Sequence, residues 1–220
     1  MTHPESLASQ IHSEIQALTT PNTPHIRGVR RAWSRQLRDA PGEIVLEVAR
    51  RLHQVHGLGW VGFELIRYHP NALSLITAVE CEAFGHGMDS WGAVDAFGGL
   101  LAGPAWMRGQ NRDDDVHRWA HSDDRWWRRA ALVCTVVFNT PSHGGHGDAP
   151  RTLAVCRLLV DDHDDMVVKG LSWALRKLVA HDPEAVRGFL AEYDAVLAAR
   201  VKREVNNKLA TGLKNPRVNR

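Results

Sequence analysis

Apolar residues in this chain recur at spacings of three and four. Leu7, Ile11, Ile15 and Leu18 form one such stripe, and Ile44, Val45, Val48 and Leu52 form another. That period puts each set on one face of an α-helix. No stretch alternates over a strand's length beside hairpin turn residues, so the sequence predicts an all-α fold. The pattern gives helices over Pro4–Leu18, from Thr23-Pro24 to about Asp39, Glu43–His56, Trp60–Tyr68 and Ala72–Phe84. Further helices start at Trp91 behind Asp89-Ser90, cover Asp113–Ala120, and run from a Ser122-Asp123 cap to Phe138. The last are Arg151–Leu159, Met166–Ala180 and Pro183 to about Leu209, and Thr140–Pro150 reads as a loop. Asp182-Pro183-Glu184 and Thr23-Pro24 are start signals, because proline at the first helical position gives up no intrahelical hydrogen bond.

Successive helices joined by short polar turns stack as antiparallel pairs. Capped helices with an aromatic or basic face begin near residues 89, 123 and 165. These offsets are close to the period of HEAT-like helix pairs, roughly 40 residues. The expected architecture is a superhelical stack of such pairs, an α-solenoid with a concave groove built from alternate helices. No linker rich in proline, glycine or serine divides the chain, so residues 1–220 are expected to form a single domain with a basic tail at about 210–220.

Composition narrows the class. With 44% apolar and 24% charged residues the 220-residue chain is neither disordered nor collagen-like. Its longest apolar run, Ala130–Phe138, is far short of the ~20 residues that span a bilayer. Cys81, Cys134 and Cys156 form no CxxC pair and sit in apolar stretches, as reduced core thiols do. The N-terminal residues lack the apolar core of a signal peptide. We therefore expect a cytoplasmic protein with no membrane partner, acting as a monomer.

The formal charge of +2 hides a segregation. Seven arginines against Asp39, Glu43 and Glu47 lie between Arg27 and Arg51. Seven basic residues against Glu204 lie between Arg200 and Arg220. Acidic blocks at 113–115, 123–124 and 161–165 separate the two, and those at 113–115 and 161–165 are expected to face outward. Of the 27 basic residues 22 are arginine, whose planar fork suits phosphate. Separated charge of this kind can present one basic face to a polyanion, although solvated helix faces produce the same pattern. Arg27, Arg30, Arg31, Lys169, Arg176, Arg203, Lys208 and Lys214 are the candidate contacts to nucleic acid.

Three helices carry aromatic and charged groups at comparable positions. Trp91 and Asp95 are four apart, Trp126 and Arg129 are three apart, and Lys169, Trp173 and Arg176 share a face. Packing alone accounts for tryptophans at helical spacing. Asp95 is different, because it lies between Val94 and Ala96-Phe97 in an apolar helix. An unpaired carboxylate there costs several kcal/mol, so it needs a partner such as Arg129.

The SWxxxD motif at Ser90, Trp91 and Asp95, the SDDRWWRRAAL segment, KGLSWALRK followed by DPEAV, and the Arg203-Glu204 pair occur in a characteristic order. In these elements the sequence resembles the AlkD-type family of DNA alkylation repair glycosylases, from the Thr23-Pro24 helix to the Arg203-Glu204 helix. The resemblance implies a HEAT-like superhelix that holds duplex DNA and excises cationic N3- and N7-alkylated purines without a snug base pocket. It implies that Trp91 and Trp173 contact the deoxyribose and backbone of the lesion. It makes Asp95 the catalytic carboxylate, with Arg129 beside it, or Arg128 if the correspondence shifts by one. Gly92, Gly170 and the glycine- and histidine-rich 140–150 loop depart from the family pattern.

Such chemistry requires no cofactor. An alkylated purine already carries positive charge and leaves neutral, so no acid need protonate it. Positive charge then develops on the sugar, where a fixed carboxylate stabilises it by ~3–4 kcal/mol. Lys169 as a Schiff-base nucleophile is an alternative use of that residue. The thirteen histidines include pairs at 53/56, 117/121 and 143/146, but no cysteine pair or HExxH accompanies them, and no metal is expected. A non-catalytic helical-repeat module that binds DNA structure or a protein partner is the competing reading.

Overall fold

The computed structural model describes residues 3–216, and every regular element among them is helical. In chain order the helices are α1 (Pro4–Gln16), α2 (Thr23–Gln36), α3 (Gly42–Gln54), α4 (Gly59–Tyr68), α5 (Ala72–Leu75), α6 (Ala78–Gly85) and α7 (Trp91–Ala96). A π-helical stretch, Phe97–Ala102, joins α7 to α8 (Gly103–Met107). Then follow α9 (Asp113–Ala120), α10 (Arg125–Phe138), α11 (Ala149–Leu158), α12 (Asp165–Leu178), α13 (Pro183–Glu192) and α14 (Ala199–Thr211). The fold is all-α, with helices packed in pairs as in a HEAT-like α-solenoid. Arg217 and Arg220, which belong to the expected basic tail, lie outside the described residues.

The chain divides into two compact units. The first takes residues up to Gly87 together with Leu100–Asn111, and the second takes Met88–Gly99 together with Arg112 onward. In the first unit α3 packs on α1 and α4, and α2 packs on α1 and α4. Ile11, Val48, Leu52, Val61 and Ile66 are fully buried there. Each such side chain contributes about 1.5–3 kcal/mol. The buried carboxylate of Glu64 receives the Nε of Arg27 and of Arg30, both at 2.8 Å.

In the second unit α7, α10, α12 and α14 lie side by side in that order. Helices α9, α11 and α13 back this row, α9 and α11 against α10 and α11 and α13 against α12. Helix α10 has neighbours on both sides and behind, which explains its continuous apolar run: all residues from Arg129 to Phe138 are buried. The row is the alternate-helix surface that the sequence period anticipates, and it positions the site.

Most helix boundaries fall within one or two residues of expectation, and four departures have a visible cause, three of them local. Asn22, one residue before Thr23, caps α2 by accepting the His25 N–H at 3.0 Å. Asp124 rather than Ser122-Asp123 caps α10, accepting the Trp126 N–H at 2.8 Å. The expected Ala72–Phe84 helix is two helices, because Thr77 and Glu80 form a capping box that restarts the chain behind buried Ile76. The expected helix from Pro183 to about Leu209 is also two. Nothing in AEYDAVLAAR breaks a helix locally, but burial of Leu197 turns the chain there and lets α14 lie against α12.

The acidic blocks do not simply face outward. Asp115 is buried and pairs with Arg118 at 3.2 Å, Asp113 pairs with Arg151 at 3.0 Å, and Asp162 pairs with Arg128 at 2.7 Å. The 140–150 segment holds a short 3-10 turn, Pro141–His143, and is pinned by Asn139, which donates to the Thr152 hydroxyl at 2.8 Å. Cys81, Cys134 and Cys156 are buried in the core as thiols, not as disulfides. No helix is long and apolar enough to cross a membrane, among the described residues.

Candidate active site

The site lies on the α7–α10–α12–α14 row of the second unit. Ser90 opens α7 by accepting the Ala93 N–H at 3.3 Å, so the serine of the SWxxxD motif is a helix cap. One turn of helix then sets Trp91 and Asp95 on the same face. Trp91 is 62% exposed, an unusual state for so large an apolar group. Asp95 is half-buried and turns toward α10.

Arg129 meets it there. Its Nε and one terminal nitrogen donate to a single carboxylate oxygen of Asp95 at 3.0 and 2.8 Å, and that terminal nitrogen reaches the other oxygen at 3.1 Å. The second terminal nitrogen donates to the Met166 carbonyl at 2.6 Å. One buried guanidinium thus ties α7 to the first turn of α12. Arg128 points elsewhere, to Asp162 and to the carbonyls of Ser122 and Asp123 at 2.9 and 2.8 Å. Burial pushes the Asp95 carboxyl above the usual carboxylate range, against the pull of the Arg129 charge and hydrogen bonds.

Trp91, Asp95, Arg129, Met166, Lys169, Trp173, Arg176 and Lys214 line one open hollow of about 500 Å³. All of these except Met166 are residues that the sequence singles out, so the fold brings the expected catalytic group together with part of the expected basic set. Lys169 reaches Asp165 at 2.5 Å, and Asp165 also meets Arg200 at 3.4 Å. Gly170 faces α10 across a narrow gap: a β-carbon there would lie 3.3 Å from Leu132 Cδ1 and 3.6 Å from Arg129 Cγ.

The other candidates do not line this hollow. Arg203 is exposed, and Lys208 donates to the Gly212 carbonyl at 2.6 Å. Arg27, Arg30 and Arg31 belong to α2 of the first unit. Arg30 is buried, held by Glu64 and laid over the Tyr68 ring at 4.6 Å, whereas Arg31 is exposed. The sequence marks Glu204 only as half of the Arg203-Glu204 pair, without a role at the site, and offers nothing for Ser172. Glu204 is buried on the apolar face that α14 forms with Val201 and Val205. A glutamate at that spacing was the available signal.

A profile of the family described as DNA alkylation repair enzyme matches residues 9–209. The chain belongs to that family. A comparison with curated proteins finds no matching relative. The match makes the protein an enzyme of DNA alkylation repair, with DNA as its partner. Every lining residue of the hollow except Lys214 falls within the matched span. For a repair enzyme the chemistry on this wall is legible: a carboxylate of fixed orientation, two aromatic faces and a fringe of cations. Among the described residues no group of three or more histidine, cysteine or acidic side chains could hold a metal ion.

Proposed function

We propose that the protein is a monofunctional DNA glycosylase, acting as a monomer, that hydrolyses the N-glycosidic bond of cationic N3- and N7-alkylated purines in duplex DNA. 3-Methyladenine and 7-methylguanine are the simplest such substrates. The observation that carries this reading is the Asp95 carboxylate, clamped by Arg129 at 2.8–3.1 Å and opening into a hollow with Trp91 and Trp173.

A cationic base leaves as a neutral purine, so the enzyme needs no general acid. The electron deficit appears on the deoxyribose. Asp95 faces that charge as an anion whose position is set before the reaction, which is the condition for electrostatic catalysis at ~3–4 kcal/mol. The same carboxylate orients water for attack at the anomeric carbon. The Trp91 and Trp173 rings supply apolar and π contact to the sugar and to cationic character, about 0.5–2 kcal/mol each. Lys169, Arg176 and Lys214 stand where the phosphates beside the lesion would lie. The hollow is open, which suits excision without a snug pocket for the base. A pure scaffold could use the Asp95–Arg129 pair to join helices, but has no need for that carboxylate to open into a hollow shared with Trp91 and Trp173.

The test is release of 7-methylguanine and 3-methyladenine from methylated duplex DNA by wild type and Asp95→Asn. Release by the wild type and its loss in the variant are expected. A wild-type protein that binds duplex DNA but releases neither base would leave a non-catalytic DNA-binding module.

A further inference from the structure

The basic side of the hollow is held from behind by a buried acid. Glu204 is 4% exposed, and its Oε2 accepts a hydrogen bond from the Ser172 hydroxyl at 2.6 Å. Ser172 in turn accepts from Arg176 Nε at 3.1 Å. The other carboxylate oxygen, Oε1, faces Lys214 Nζ at 3.4 Å, and Arg176 Nε stands 3.8 Å from Oε2. Arg176 and Lys214 both line the hollow; Glu204 and Ser172 do not.

The C-terminal segment is shaped to bring these groups together. Gly212 ends α14 in the left-handed region at φ +74°, which reverses the chain. The Lys208 ammonium caps the Gly212 carbonyl, and Asn207 donates to the Lys214 carbonyl at 3.1 Å. The folded-back segment brings Lys214 against Glu204. Ser172 is the residue next to Trp173 and lies one helical turn before Arg176, so its hydroxyl passes the pull of Glu204 along α12.

We infer that Glu204 is a positioning residue for DNA binding: its buried carboxylate holds Lys214 directly, and Arg176 through the Ser172 hydroxyl, so that both cations present to the phosphates flanking the lesion. The inference rests on the glycosylase reading above. Burial alone would raise the Glu204 carboxyl, but the Ser172 hydrogen bond and the charges of Lys214 and Arg176 bring it below the usual range, so it is anionic at neutral pH. An anion buried behind two long, flexible cations removes their rotamer freedom before the ligand arrives, and preorganisation of that kind raises affinity.

Neutralising an acid near a DNA site ought by charge alone to tighten binding, and here the opposite is expected. Affinity of the full-length protein for an undamaged duplex is measured across a salt series, for wild type, Glu204→Gln, Glu204→Asp and Ser172→Ala, with melting temperature in parallel. Glu204→Gln is expected to bind about tenfold more weakly, with a salt slope smaller by about 0.9 for each phosphate that is no longer neutralised. Glu204→Asp should restore part of both. Ser172→Ala, which cuts the link to Arg176 and takes one hydrogen bond from buried Glu204, should release about one phosphate, with a slope smaller by about 0.9, and should melt somewhat below wild type while Lys214 still faces Glu204. In single-turnover excision the half-saturating enzyme concentration should rise more than the saturated rate falls. Binding by Glu204→Gln that is equal or tighter, with an unchanged slope, overturns the inference. If Glu204→Gln does not fold, an unchanged slope in Ser172→Ala overturns it equally. A wild type that binds no duplex sinks this inference and the proposed function together. A wild type that excises methylated bases, beside a Glu204→Gln variant that binds as it does, sinks this one alone.

Discussion

Asp95 and Arg129 are 34 residues apart in sequence and share three hydrogen bonds of 2.8–3.1 Å, two of them from one guanidinium nitrogen. The arginine is buried and the aspartate is open on one side to the hollow. The pair therefore has a structural end and a working end. The two residues should respond differently to substitution.

Asp95→Asn keeps the size of the side chain and an oxygen for Arg129, but removes the charge. Excision of 7-methylguanine should fall at least ~100-fold, the equivalent of ~3 kcal/mol of transition-state stabilisation. Affinity for undamaged duplex should hold or tighten, since an anion near phosphates is gone. Single-turnover base release, with binding followed in parallel, checks this. A variant that excises at close to the wild-type rate would remove Asp95 from the mechanism.

Arg129→Ala should lose stability as well as activity. It strands a half-buried carboxylate and frees the Met166 carbonyl that Arg129 bridges. Breaking a buried pair from one side costs about 3–5 kcal/mol, and the exposure of Asp95 places this case toward the low end. Denaturant unfolding gives the number. An unfolding midpoint equal to wild type would show that α7 and α12 are held by other interactions.

The acid limb of the excision rate should lie above the ordinary carboxylate pKa of about 3.9, because burial raises the Asp95 carboxyl and only its anion is active. Arg129→Ala should push that limb higher still, since the Arg129 charge and hydrogen bonds are what pull it down. Stability carries the opposite sign. The folded chain holds this proton more tightly than the unfolded one, so the stabilisation is full at low pH and is lost as pH rises through the raised pKa. The difference in melting temperature between Asp95→Asn and wild type should therefore move in the variant's favour as pH rises from the ordinary carboxylate range through the raised pKa.

Ser90→Ala tests the cap. Loss of an N-cap hydroxyl costs about 1 kcal/mol. Helix α7 has only six residues, so the cost falls on the elements that carry Trp91 and Asp95. The excision rate should drop several-fold while global unfolding changes little. Equal losses in both would mean that α7 melts only with the whole unit.

Much of this was legible in the residues. Periodicity gave the helices, and the misplacement of Asp95 among Val94, Ala96 and Phe97 predicted a partner that Arg129 supplies. What escaped was tertiary. Leu197 bends the chain by being buried, and no local signal marks that. Arg30 reads as a phosphate ligand from charge alone, yet Glu64, more than thirty residues away, holds it in the interior. Glu204 stands in the sequence as one acid in a basic run and as half of a pair with Arg203, and only the fold brings Ser172, Arg176 and Lys214 to it.

The bare Cα of Gly170 acts as a shim. It lies between the helix that carries Arg129 and the helix that carries Lys169, Trp173 and Arg176, and the nearest atoms a methyl group would meet are Leu132 Cδ1 and Arg129 itself. A side chain added there would thus widen the hollow in steps of one carbon, from a position that does not itself line it. A lineage with a larger residue at 170 would open the gap between carboxylate and tryptophan for a larger adduct, while keeping every reacting group it already has.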